Sequence, residues 1–162
     1  MRRSVAYCVA TAFVAASGAA HAATATTSFQ VQLTIQAQCL INSASTLNFG
    51  TQGVLSANVD QTSAIQVQCT NTTPYNIGLD AGTGAGATVT TRKLTGGGAT
   101  INYSLYSDSA RTSVWGNTIG TNTVASTGTG AAQSFTVYGR IPSQTTPAPA
   151  TYTDTITVTV TY

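Results

Sequence analysis

The sequence contains no Glu, a single Lys and a single His, and only 6% of its 162 residues are charged. Each shortage closes a route. With Glu absent and Lys nearly so, the residues that favour exposed helix faces are missing, and long amphipathic helices are not expected. A net charge of +2 spread over so few groups gives no basic face for nucleic acid or anionic lipid, so those partners are excluded. Nucleophilic or general acid–base catalysis needs a His or a comparable base, and a structural zinc site needs four Cys or His ligands. The one His and one of the three Cys lie in the first 22 residues, which read as a leader removed on export, so no catalytic residue, metal or cofactor is expected.

What is present begins with a processing signal. Arg2 and Arg3 precede an apolar run from Ser4 to Ala16, and Ala20-His21-Ala22 supplies an A-x-A cleavage pattern between Ala22 and Ala23. The run is too short to span a bilayer as a helix. Residues 1–22 therefore read as a secretory signal peptide, and the product as exported. Cleavage removes His21 and Cys8, and it leaves Arg92, Lys93, Arg111 and Arg140 against Asp60, Asp80, Asp108 and Asp154. The remaining Cys39 and Cys69, in an oxidising compartment, are expected to form one disulfide. Closing a loop of that length stabilises by about 3–4 kcal/mol in the chain-entropy picture.

The rest of the chain reads as one all-β domain rich in Thr, Ala, Gly and Ser. In "SFQVQLTIQ" (28–36), Phe29, Val31, Leu33 and Ile35 fall on one face of an extended segment. Further strands are expected to end at "LNFG" (47–50) and to cover "SAIQVQC", "PYNIGLD", "INYSLYS" and "SFTVYGRI". The last is "TYTDTITVTVTY", where Ile156, Val158, Val160 and Tyr162 share a face and Thr takes the other. The Gly-rich stretch 81–100 reads as a long loop, and "PSQTTPAPA" cannot continue a ladder because Pro lacks the donor. About six short strands after Cys39, with one cystine, indicate an immunoglobulin-like sandwich.

Three minor motifs carry little chemistry. "DAGTGAGA" (80–87) lacks the Lys-Ser/Thr ending and the helix of a phosphate loop, and reads as a surface loop. Asp108 is expected to cap the turn in "SDSART" rather than bind a ligand with Arg111. Trp115 is a possible sugar platform, but a core or inter-subunit position is favoured.

Together, "LNFG", "IQVQC", "YSLYSDSARTSVWG" (103–116), "VYGRI" (137–141) and "ATYTDTITVTVTY" (150–162), in this order, resemble the spore coat protein U domain of archaic chaperone–usher pilins. The resemblance covers nearly all of the chain after the leader. It implies an incomplete sandwich lacking its final strand, a periplasmic chaperone that lends one in transit, and an outer-membrane usher. The N-terminal strand of a neighbouring copy or related pilin would then replace the chaperone's. On this basis residues 23–36 form a donor strand with Phe29, Val31, Leu33 and Ile35 as its knobs, and 37–162 form the pilin domain. The strand bearing Ile156, Val158, Val160 and Tyr162 edges the groove and is what the chaperone grips. Neither terminal segment carries the Lys, Arg or Pro that usually blunts an exposed edge.

The implied function is a subunit of a surface pilus serving adhesion and biofilm formation. Alternation alone fits an ordinary first strand pairing inside its own domain. A coat protein of the same family built without an usher, and a monomeric carbohydrate-binding sandwich, are the alternatives.

Overall fold

A computed structural model of the chain describes residues 21–162, so the expected leader, residues 1–22, lies almost wholly outside the described residues. The chain divides into two units, Met1–Thr34 and Ile35–Tyr162. In the first, residues 21–34 form no strand or helix and all are exposed. Phe29, Val31 and Leu33 are 87%, 83% and 82% exposed. Ile35, which opens the second unit, is 72% exposed.

The second unit is all β. Its strands are β1 (Cys39–Ala44), β2 (Val59–Cys69), β3 (Pro74–Leu79), β4 (Arg92–Gly96), β5 (Ala99–Tyr106), β6 (Val124–Thr127), β7 (Ala132–Ile141) and β8 (Val158–Thr161). They form a five-stranded sheet, β1-β2-β7-β5-β4, and a three-stranded sheet, β6-β3-β8, with antiparallel pairing throughout. The result is an immunoglobulin-like sandwich. Cys39 and Cys69 are disulfide-bonded and pair across β1 and β2.

The period of two sets the core. Ile65, Val67 and Cys69 of β2, Tyr75, Ile77 and Leu79 of β3, and Ile101, Tyr103 and Leu105 of β5 are all buried. An edge-to-face contact between Tyr75 and Phe135 joins the two sheets, and another packs Phe49, from the segment after β1, against Tyr103 of β5.

The strand count exceeds the six expected from sequence, because two short strands form outside the segments expected to pair. Within 81–100, Arg92–Gly96 pairs with Ala99–Tyr106 through a two-residue turn, Gly97-Gly98, with both residues at positive φ. Gly-Gly suits that turn, which needs left-handed backbone at both central positions. Within the Gly/Thr stretch after Trp115, Val124–Thr127 pairs with β3. Two expected strands are shorter than the alternation suggested. β1 ends at Ala44, so "LNFG" is irregular, with Asn48 Oδ1 accepting from the Gly50 N–H at 2.8 Å. The C-terminal strand is confined to Val158–Thr161, preceded by a single bridge between Thr153 and Thr95.

Arg92 is fully buried and is the largest surprise of the interior. Its guanidinium donates to the carbonyls of Asp80, Val89, Leu79 and Trp115 at 2.7–3.1 Å. Four backbone acceptors spread the charge, and the group ties β4 to the end of β3. Burial lowers its pKa, but an arginine remains charged. Beside it, Trp115 is buried and its indole N–H donates to the Ile77 carbonyl at 2.8 Å. The sugar-platform reading of Trp115 is thereby excluded.

Candidate functional site

β1 and β8 are the outer strands of the two sheets; they approach each other but no ladder joins them. Between them, and between the segments that extend them, runs a groove. One part is a pocket of ≈ 300 Å³ and the other a larger one of ≈ 930 Å³, and both are lined by Leu47, Phe49, Leu94 and Asp154. One wall comes from the chain after β1, Ala44 to Leu55. The other comes from the chain leading into β8, Thr146 to Val158. Ile65, Leu79, Leu105 and Val137 form the floor of the smaller part. All four are buried residues of the core, so the groove is a slot into the hydrophobic interior.

The β8 wall has an unused hydrogen-bonding edge. Thr153 exchanges backbone hydrogen bonds with Thr95 of β4 at 2.8 and 3.0 Å, and the Thr157 carbonyl accepts from the Asp80 N–H at 3.2 Å. Backbone groups of an extended chain alternate sides with a period of two. The odd-numbered residues therefore address β4 and β3. The N–H and C=O groups of Ile156, Val158 and Val160 point the other way, where no strand among the described residues pairs with them. Their side chains are half-buried, those of Ile156 and Val158 against the groove, while Tyr162 is 59% exposed. Leu79 agrees with this phase, since its N–H turns away from β8 to the Gly116 carbonyl at 2.9 Å.

Two carboxylates hold this wall in place. The Asp80 carbonyl is occupied by Arg92, so the carboxylate takes over its ladder role, with Oδ1 accepting from the Thr157 N–H at 2.9 Å and the Gly82 N–H at 3.0 Å. Burial would raise the Asp80 pKa, but these hydrogen bonds and the Arg92 charge outweigh it and hold the pKa below the usual carboxylate value. Asp154 Oδ1 accepts from the Thr83 N–H at 2.7 Å and its hydroxyl at 2.9 Å, while Oδ2 accepts from the Tyr103 hydroxyl at 2.7 Å. Burial and then Asp154 push the Tyr103 pKa far up, so the phenol stays a donor.

The Gly-rich loop 80–87 thus presents its Thr83 amide to the chain's own carboxylate, not to a phosphate. Asp108 caps its turn as expected, accepting from the Thr112 and Ser113 N–H groups. Arg111 turns away to the Gly139 carbonyl, the Asp60 carboxylate and the face of Tyr138. Among the described residues, no group of three His, Cys, Asp or Glu could hold a metal ion.

A slot into an immunoglobulin-like core, flanked by two bare edges, is the setting in which the comparisons with known proteins fall. The Spore Coat Protein U domain model matches residues 25–159. The chain belongs to the Spore Coat Protein U domain family. Protein U of Myxococcus xanthus is 33% identical over 177 residues, covering 100% of this chain and 98% of that protein.

A fold likeness extends to a chain in the crystal structure of the CsuC–CsuE chaperone–tip adhesion subunit pre-assembly complex, from archaic chaperone–usher Csu pili of Acinetobacter baumannii. The TM-score is 0.57 with 24% identity over 80% of this chain. The matched region is 40% of that chain's length.

Within this Spore Coat Protein U domain the residues expected from sequence fall into separate groups. Cys39 and Cys69 are bonded, Ile156 and Val158 line the groove, and Val160 is half-buried farther along β8. Phe29, Val31, Leu33 and Ile35 are exposed, as are Ala22 and Ala23. Leu47, Phe49, Asp80 and Asp154 were not anticipated as site residues. Asp154 had a visible signal: it interrupts the row Tyr152, Ile156, Val158, Val160 at an inward-facing position.

Proposed function

We propose that this chain is a non-enzymatic structural subunit of a surface pilus, in which each copy lends residues 28–36 to the groove of the next. One pairing of features carries the reading. The same chain has an exposed row of four large apolar side chains at strand spacing, and a slot bounded by an unpaired edge. Burying four such side chains is worth about 6–12 kcal/mol at 1.5–3 kcal/mol each. That is an upper value, because a free segment already hides part of its surface. Ladder bonds to Ile156, Val158 and Val160 would add register, and a one-residue slip would turn Gln30, Gln32 and Thr34 into the core.

Polarity supports donation between copies. From β1, through β2, β7, β5 and β4, to Thr153, successive neighbours are antiparallel, so β1 and the C-terminal segment run oppositely. A strand inserted antiparallel to β8 would therefore run parallel to β1. Parallel neighbours need a connection of a dozen or more residues. Ile35 is joined to Cys39 by Gln36-Ala37-Gln38 alone. In that polarity the inserted strand comes from another molecule, and head-to-tail contacts of this kind propagate instead of closing.

The reading brings its partners with it. A leader cleaved between Ala22 and Ala23 exports the chain to the periplasm, where a chaperone fills the groove beside β8. An outer-membrane usher then exchanges that strand for the donor segment, residues 23–36, of a neighbouring copy or a related pilin, and the fibre supports adhesion and biofilm formation. The family description favours a second reading, a coat layer using the same strand exchange without an usher.

Unboiled electrophoresis of surface extracts and electron microscopy test both. SDS-resistant multimers and filaments are expected, and both are lost on deletion of residues 23–36. Multimers without filaments favour the coat, and multimers that survive the deletion overturn strand donation.

A further inference from the structure

β7 is the middle strand of the five-stranded sheet, and its inward row reads Phe135, Val137, Gly139, Ile141. A glycine inside a central strand weakens it and marks a place where something else approaches the backbone closely. Here the approach is made by Leu47 and Phe49. A Cβ built on Gly139 would lie 2.7 Å from Leu47 Cδ1 and 3.0 Å from both Leu47 Cδ2 and Phe49 Cζ. Those two side chains line both parts of the groove. They sink into the dimple that the missing Cβ leaves, and the groove is open above them because they do.

We propose that Gly139 is a specificity-determining residue that sets the depth of the groove, and with it the size of apolar side chain that an incoming strand can seat beside Leu47. This rests on the strand-exchange reading. Any side chain at position 139 must displace Leu47, whose methyl groups are the flexible end of a half-buried residue. The free space that Leu47 borders is the groove itself. The fold is therefore kept and the slot is filled, and a donor strand bearing Phe, Leu and Ile is refused where one bearing Ala is accepted.

The test uses the full chain and a fluorescent synthetic peptide of residues 25–37, with captured peptide read as an SDS-resistant band in unboiled gels. Gly139→Ala is expected to lower capture about tenfold, the scale of overpacking a filled site. Capture of a peptide carrying Leu33→Ala and Ile35→Ala falls less in that variant than in the unsubstituted chain. Adding Leu47→Ala to Gly139→Ala restores capture of the natural peptide. Leu47→Phe with Gly139 intact reproduces the loss and removes any dependence on the β7 backbone.

Equal capture by Gly139→Ala and the unsubstituted chain overturns the role of Gly139 and leaves strand exchange standing. A loss that Leu47→Ala does not rescue also overturns it. Failure of the unsubstituted chain to capture any peptide overturns the strand-exchange reading itself.

Discussion

Leu33→Ala separates a strand that serves its own domain from one that serves a neighbour. Leu33 is 82% exposed in the chain, so almost all of the side chain is left for a partner to cover. Removing a buried Leu side chain costs about 2–5 kcal/mol, depending on how far the site collapses. A groove walled by the irregular segments 44–55 and 146–157 can relax, which favours the low end. Since 1.4 kcal/mol is a factor of ten, the junction between copies should weaken by about 30-fold. The folded domain should hardly notice, because an exposed substitution moves stability by about 0.5 kcal/mol at most. Two measurements read the contrast: the temperature at which unboiled multimers dissociate, and the urea midpoint of the monomeric fraction. Multimers should dissociate at lower temperature, with the urea midpoint unmoved, while Gln32→Ala on the opposite face changes neither. A monomer destabilised by 2 kcal/mol or more, with multimers unaffected, would refute the reasoning, because Leu33 would then be filling its own core.

Three further outcomes are expected. Arg92→Met should lower the urea midpoint by an amount equivalent to about 3 kcal/mol or more, since four carbonyls, two of them fully buried, lose their donor. Arg92→Lys should recover only part of this, because an ammonium cannot reproduce the guanidinium fork. Replacing Cys39 and Cys69 together by Ala should cost about 3–4 kcal/mol and abolish the sensitivity of the urea midpoint to dithiothreitol. Asp60, held low by its hydrogen bond from Arg140, and Asp80, held low by Thr157 and Gly82, are both depressed in the folded chain. Depressed carboxylates stabilise above their unfolded pKa, so thermal stability should be level from neutral pH down to about 5 and fall as pH drops through 4 and below. Asp80→Asn should flatten that fall, and an unchanged acid limb would contradict the role given to Asp80.

The buried faces of β2, β3, β5 and β7 were legible in the sequence because alternation is a local property, written residue by residue. The hairpin β4–β5 was missed, because its Gly97-Gly98 turn lies in a stretch that the glycines of 82–86 made read as one long loop. Those glycines serve a loop tied down by Asp154. What alternation could not convey was where pairing stops. "TYTDTITVTVTY" keeps its period to the end, yet its ladder with β3 runs only over Val158–Thr161. The segment crosses from β4 to β3, and Asp80 takes the Thr157 amide at the crossing. The groove had no local signature at all. It arises where Leu47 and Phe49 lie against Gly139, about ninety residues away in sequence. Arg92 was similarly hidden, since its acceptors are backbone groups and carry no side-chain code.

The cystine has a mechanical consequence. In a fibre joined through residues 28–36, tension enters each copy through Gln36-Ala37-Gln38 and meets Cys39 first. The covalent bond passes the load at once to Cys69, the last residue of β2, which is laddered to β7 along nearly its whole length. β1, at the sheet's edge, is bypassed and cannot be unzipped from its first residue, so the pull is borne in shear by the inner strands.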